Sequence, residues 1–240
     1  MICQGRGEWI ELWVRLWSAL TRAFEVAATP FCRNDGIGET TGEKPTSQER
    51  RVNSLLQDEL LGLRVFPLPS VRLKFRSWTE ADTALAEALW CDPEVTRFFG
   101  GPMTREQAHA RLQTECERDR SLGLQYWPIF LRESSEFAGC AGLRPWSKDP
   151  KIIEVGVNLM RAAWGQRLGE EALLAVLAHG FDTLNMPVIV AGHGIDHDNS
   201  RKLLERVGFS YTHNILWGPR EIEVCMWAIS AENWNDKHRA

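Results

Sequence analysis

Residues 33–51, RNDGIGETTGEKPTSQERR, hold a single aliphatic side chain, Ile37, in a run that is otherwise polar, Gly or Pro. Such a tract cannot bury enough apolar surface to offset the entropy of ordering its backbone, so it is a linker and no core runs through it. Whatever folds lies before it or after it. At 240 residues the chain is too short for two full-sized enzyme domains. One core of roughly 150–200 residues beyond the linker accounts for the length best. A hydrophobic fraction of 44% beside 25% charged residues is that of a globular chain and excludes wholly disordered or collagen-like classes.

Ahead of the linker, Trp9, Leu12, Trp13, Leu16, Leu20 and Phe24 recur at helical spacing, with Glu8, Glu11, Arg15, Ser18, Arg22 and Glu25 opposite them. This predicts an amphipathic helix within residues 1–32. Acidic Glu8 and Glu11 stand where a secretion signal carries its basic region. The polar face mixes both signs, which favours docking on the chain's own domain or on a second subunit over lying on a membrane surface. Leu55, Leu56, Leu60 and Leu61 suit a short helix, and Pro67 and Pro69 force extended backbone after it, so residues 33–70 form a linker and lead-in.

Charge and cysteine usage narrow the partners. The net charge is −4, from 28 basic and 32 acidic residues, and 8 basic against 9 acidic residues precede Val71, so neither the chain nor its extension offers a cationic surface for nucleic acid. Apolar stretches are broken by charge before the ~18–20 residues that a membrane span needs. The six cysteines contain no C-x-x-C pair, which argues against a zinc knuckle or redox dithiol and suits a reducing cytoplasm.

After Ser70, helical and extended patterns alternate. Val71–Phe75 is predicted as a strand, Thr79–Asp82 as entry to a helix through Leu85, Leu89 and Trp90, and Thr104 with Gln107 as a capping box opening the next helix. Trp127–Arg132 and Phe137–Leu143 form a hairpin around Glu133–Glu136. Strands over Ile152–Leu159 and Val188–Ala191, helices over Glu170–Leu184 and Ser200–Val207 (stopped by Gly208), and a last strand over Glu221–Ile229 complete the reading. Hairpins mixed with strand-helix crossovers imply an α+β or mixed α/β sheet rather than a doubly wound one.

Within IIEVGVNLMRAAWGQRLGEEA, residues 152–172, a strand passes through a Gly-containing turn straight into a helix. The unsatisfied N–H groups and positive dipole end of such a helix can hold a pyrophosphate, and Gly165 and Gly169 would let the backbone approach it; the same pattern also serves as a plain tight connection.

Six blocks in order, VRLKFRSWTEAD, Asp92–Val95 leading to GGPMTREQA, FAGCAGLRP, EVGVNL, WGQRLGEEAL and DNSRKLLERVGF, resemble the GNAT superfamily of acetyl-CoA-dependent N-acetyltransferases, in the branch of the ribosomal-protein N-terminal acetyltransferases. The resemblance spans about Val71 to Ile229 and implies a GNAT-like domain over residues 71–240, with a mostly antiparallel mixed sheet and helices on both faces. It implies that Trp164, Gly165, Gln166, Arg167, Leu168 and Gly169, matching the family motif Q/R-x-x-G-x-G/A, cradle the CoA pyrophosphate. Arg167 stands at the central Gly, where it would either crowd the phosphate or swing outward and bond to it. His197 stands where this branch has Asn, and Asn199 is displaced by two.

The implied reaction is attack of a primary amine (a protein N-terminus, an amino acid or a small amine) on the thioester in a ternary complex. Glu154 is the candidate base, alternating with Val155 and Val157, although a solvent-facing strand carboxylate fits the same pattern. The backbone amides of Val157, Asn158 and Leu159 would polarise the thioester. Ser200 is the candidate acid for the departing thiolate, or an ordinary helix N-cap, and Tyr211 is a weaker alternative. Further readings are an acyl-CoA-binding module with weakened catalysis and, from His193, Asp196, His197 and Asp198, a metal hydrolase; no metal is assigned. Trp78, Phe98, Phe99 and Trp127 suit either an acceptor pocket or core.

Overall fold

The computed structural model describes residues 66–218 and 221–238. The helix expected over residues 1–32 and the linker and lead-in up to residue 65 lie outside the described residues.

Seven strands form one sheet: β1 (Leu73–Phe75), β2 (Tyr126–Leu131), β3 (Phe137–Trp146), β4 (Asp149–Leu159), β5 (Val188–Gly194), β6 (Ser210–Trp217) and β7 (Ile222–Ser230), in spatial order β1-β2-β3-β4-β5-β7-β6. Only β4 and β5 run parallel. Helices α1 (Thr83–Trp90), α2 (Pro93–Thr96) and α3 (Arg105–Leu122) lie between β1 and β2, α4 (Leu168–Ala178) between β4 and β5, α5 (Asp198–Val207) between β5 and β6, and α6 (Ala231–His238) after β7. This is the mixed α/β architecture expected.

Strand alternation sends successive side chains to opposite faces, and each face has its own core. On one, Val155, Ile189, Ala191 and Trp127 pack against Leu168, Leu173 and Val176 of α4, Leu204 of α5 and Trp234 of α6. On the other, Tyr126 and Cys140 meet Trp78, Leu89 and Trp90, and Ala108, Leu112 and Cys116 of α3. Trp78 and Trp127, at 2% and 0% exposure, are therefore core and not pocket wall.

Local chemistry fixes the long helix α3. Thr104 Oγ1 accepts from Gln107 N at 3.3 Å while Gln107 Oε1 accepts from Thr104 N at 2.9 Å, the expected capping box, and Gly123 ends the helix at φ 65°. Inside it, Glu115 is only 1% exposed. Its Oε2 accepts from Tyr126 N at 2.9 Å and from Arg118 at 2.8 Å, tying α3 to the start of β2.

Several boundaries differ from expectation. The helix expected over Glu170–Leu184 starts at Leu168 and changes after Ala178 into a π turn, His179–Thr183. The helix expected from Ser200 starts at Asp198, and its N-cap is His197, so Ser200 is not a cap. Strand β6 and helices α2 and α6 are additional. β6 is an edge strand whose side chains are mostly exposed, so it lacks the apolar alternation of a half-buried strand.

Candidate active site

β4 and β5 are in register at only Ile153↔Ile189 and Glu154↔Val190. Beyond that point they part, while β4 stays paired to β3 through Gly139↔Leu159. Antiparallel alternation turns the backbone of Asn158 toward β3, so the outward backbone groups of Val157 and Leu159 face a gap instead of a strand. Glycines permit close approaches around it: a Cβ on Gly194 would come within 3.1 Å of the Phe98 carbonyl, and one on Gly192 within 3.0 Å of Val224. A cleft of about 560 Å³ passes through the sheet here, lined by β4, the 164–170 turn, the start of α5, the segment after α2, and β6 and β7. Its size suits a small-molecule site.

On the α4 side, Gly165 has φ 73° and Arg167 φ 59°. The left-handed region is open to Gly and strained for Arg, which gives a backbone reason for Gly at the position Arg167 occupies. No side chain caps α4, and the first helical N–H to find an internal acceptor is that of Glu171, bonded to the Arg167 carbonyl at 3.2 Å. The N–H groups of Leu168, Gly169 and Glu170 precede it, at the positive end of the helix dipole. A Cβ on Gly169 would meet only Leu159 at 3.4 Å and Leu203 at 3.7 Å, ordinary contacts that admit Ala. The Arg167 guanidinium extends away from the turn toward the helix. It grips Glu170, at 2.9 Å from Oε1 and 3.1 Å from Oε2, and Arg206 reaches the same carboxylate at 3.0 Å. Burial works against the charge of Glu170, yet the arginine bonds, led by that of Arg167, hold its carboxyl below the usual range. Trp164 donates its indole N–H to the Leu159 carbonyl at 2.9 Å, and Gln166 bonds to the Ala162 carbonyl at 2.7 Å.

On the opposite face, Glu154 is not the solvent-facing carboxylate that its pattern also allowed. Its Oε2 accepts from Arg144 Nε at 2.9 Å, and its side chain is 15% exposed. Arg144 lies across the strand pair in register with Glu154 and sits 4.8 Å from the Tyr126 ring centroid. The Tyr126 hydroxyl stands over Gly156, where any Cβ would overlap it. Burial raises the Tyr126 pKa, so this phenol stays protonated.

Of the other candidates, Asn199, Ser200, His197 and Phe98 line the cleft. Tyr211 does not: it lies on edge strand β6, 53% exposed, with its hydroxyl on Asn214. The His197 ring stacks on Phe98 with centroids 4.0 Å apart, and the Arg97 guanidinium sits 4.3 Å from the Phe98 ring. Burial, then His193, then Arg97 depress the His197 pKa to about 4. The metal reading meets a different use of its residues. Trp227 donates to His193 Nε2 at 3.0 Å, so Nδ1 carries the proton shared with the Gly194 carbonyl at 2.8 Å. Among the described residues no three His, Cys, Asp or Glu side chains gather as a ligand set. Arg144, Trp146 and Trp217 belong to the cleft without having been singled out, because only strand register brings them there.

A sheet split beside an uncapped helix N-terminus makes a cleft with an anion-accepting end. Residues 72–210 match the acetyltransferase (GNAT) domain family, and the chain belongs to it. It is an acetyl-CoA-dependent acetyltransferase, and the ribosomal-protein acetyltransferases are among its structural neighbours. Similar proteins include the uncharacterized N-acetyltransferases YoaA of Bacillus subtilis, 28% identical over 60% of this chain and 84% of the relative, and p20 of Bacillus licheniformis, 29% identical over 58% and 79%. Among solved structures, a putative GNAT-family acetyltransferase from Bordetella pertussis superposes with TM-score 0.60 at 20% identity, covering 69% of this chain and 100% of that one. RimL, a ribosomal L7/L12 alpha-N-protein acetyltransferase solved in complex with coenzyme A, superposes with TM-score 0.57 at 18% identity, covering 68% and 96%. Among the described residues no helix is long and apolar enough to cross a membrane.

Proposed function

We propose that residues 71–240 bind acetyl-CoA and transfer its acetyl group to a primary amine by direct attack in a ternary complex, in the cytoplasm, where scattered thiols stay reduced. The observation that carries this reading is the parting of β4 from β5 next to the N-terminus of α4. Trp164–Gly169 and the first N–H groups of α4 take the pyrophosphate, and the pantetheine arm lies in the gap, with His197 and Asn199 along its far wall. The outward amides of Val157 and Leu159 face the thioester oxygen, where negative charge develops, and Asn158 holds the strand to β3 between them. The amine enters from the Glu154 face. The ammonium first gives a proton through water to Glu154, the freed nitrogen bonds to the carbonyl carbon and the carbon–sulfur bond breaks; Ser200 protonates the thiolate and regains a proton, through water, from the nitrogen as the amide forms. The ion pair engages Oε2 of Glu154 and leaves Oε1 for that water. An α-amine with a pKa of about 7.7–8.0 asks little of such a base.

Two observations favour a second reading, an acyl-CoA-binding module with weakened catalysis: Arg144 holds Glu154, and Arg167 stands in a position suited to Gly. One pair of measurements separates them. Acetyl-CoA at 100 times its Kd is expected to stabilise the fold by about 2.7 kcal/mol, and an amine panel to release CoA thiol. Stabilisation without turnover on any amine supports the binding module, and no stabilisation removes both readings. For the base role, Glu154→Gln is expected to lower kcat/KM on the order of 10²-fold without abolishing it; an unchanged kcat/KM across pH excludes that role.

A further inference from the structure

Because the cleft passes through the sheet, its lining divides by face. On the Glu154 face the wall is apolar and largely aromatic: Phe98, Trp146, Ile215, Trp217, Ile222 and Val224 are all half-buried around it. Pairing between β6 and β7 sets Ile215 beside Val224 and Trp217 beside Ile222, so one ribbon supplies four of the six.

The charges are as telling as the apolar groups. Among the described lining residues the carboxylates are Glu94, Glu154 and Glu170. Each is already matched to a guanidinium: Glu94 to Arg97 at 3.7 Å, Glu154 to Arg144 at 2.9 Å, and Glu170 to Arg167 at 2.9 Å. A polyamine or aminoglycoside leaves water with several ammonium groups, and each one desolvated without a partner carries a penalty of several kcal/mol. This wall has one carboxylate near the parting of the strands and none to spare beyond it.

We infer that the acceptor is a hydrophobic primary monoamine, a single amino group on an aromatic or branched apolar body. The body lies against the Trp146–Trp217 wall and the nitrogen points toward Glu154. The inference rests on the acetyl-transfer reading and names its substrate class.

The test uses the full chain with acetyl-CoA and follows CoA thiol release with 2-phenylethylamine and tryptamine against spermidine and kanamycin, beside acetyl-CoA-dependent thermal stabilisation as a separate readout. The arylalkylamines are expected to have a kcat/KM higher by on the order of 10²-fold. Trp217→Ala is expected to raise the KM for 2-phenylethylamine roughly tenfold, with Trp217→Phe restoring most of it and acetyl-CoA stabilisation unchanged in both. Ile222→Asp, which adds an unpaired carboxylate to the wall, is expected to shift preference toward spermidine. Intact acetyl-CoA stabilisation with faster turnover of the polycations, with no turnover of either arylalkylamine, or with an unaltered KM in both Trp217→Ala and Ile222→Asp overturns the acceptor class alone. Absent stabilisation by acetyl-CoA overturns the transfer reading and this inference with it.

Discussion

Arg167 shows how a residue can depart from a motif while the backbone keeps the motif's shape. Its φ of 59° is the conformation that Gly adopts without strain, and the Glu170 bond fixes the side chain outside the turn. Arg167→Gly removes the strain and an exposed ion pair, and exposed pairs contribute little. The variant is expected to keep its acetyl-CoA affinity and to melt at the same temperature or up to roughly 2–4 °C higher; a lower melting temperature would show that the Glu170 bond outweighs the strain. His197 makes a second prediction at this scale. Burial, His193 and Arg97 hold its folded pKa at about 4, below the ordinary histidine value of 6.5, so the unfolded chain binds more protons between those values. His179 is shifted in the same direction by burial. The His197 contribution is complete above pH 6.5 and lost as pH falls toward 4, and that of His179 falls in the same direction. Urea unfolding at pH 7.5 and pH 5 is expected to show lower stability at pH 5, and His197→Asn to reduce the difference.

At the scale of elements, two glycines carry opposite expectations. A Cβ on Gly142 would overlap the Gln125 carbonyl, which belongs to backbone that cannot swing aside. Gly142→Ala is expected to cost about 1–3 kcal/mol or more, whereas Gly169→Ala, at the start of α4 where a Cβ meets only ordinary contacts, is expected to be neutral or slightly stabilising. Paired melting curves check both. Removing Glu115 leaves the Tyr126 N–H and the Arg118 guanidinium without their shared acceptor, so Glu115→Ala is expected to lose roughly 3–5 kcal/mol in denaturant unfolding.

The elements also show which features a sequence makes legible. The capping box of α3, the stops at Gly123 and Gly208, and the β2–β3 hairpin depend on neighbours a few residues apart, so the residues themselves announce them. Strand β6 has only two half-buried apolar side chains on one face, Ile215 and Trp217, too few to announce a strand, and α6 holds one buried side chain, Trp234. The turn over residues 164–169 and the presence of Glu154 in the cleft could be read along the chain. The Arg144 partner of Glu154 and the aromatic wall could not: the first depends on the exact β3–β4 register, and the second brings Trp146 of β3 to the β6–β7 ribbon, about 70 residues further along the chain.

Across the whole molecule, the parting of β4 from β5 gives the sheet a second job. Its paired strands separate two cores, and the cleft where β4 leaves β5 joins the two faces, with α4 at one end and β6 and β7 at the other; in the proposed function a cofactor at α4 meets there an acceptor at β6 and β7. The account's central claim, direct transfer between two substrates held at once on opposite faces, predicts a particular kinetic pattern. The measurement that tests it most directly is the initial velocity of CoA thiol release as acetyl-CoA and a primary amine are varied together. Intersecting double-reciprocal lines, requiring both substrates bound before CoA leaves, are the predicted result. Parallel lines, the signature of an acetylated enzyme released from CoA before the amine arrives, would contradict it.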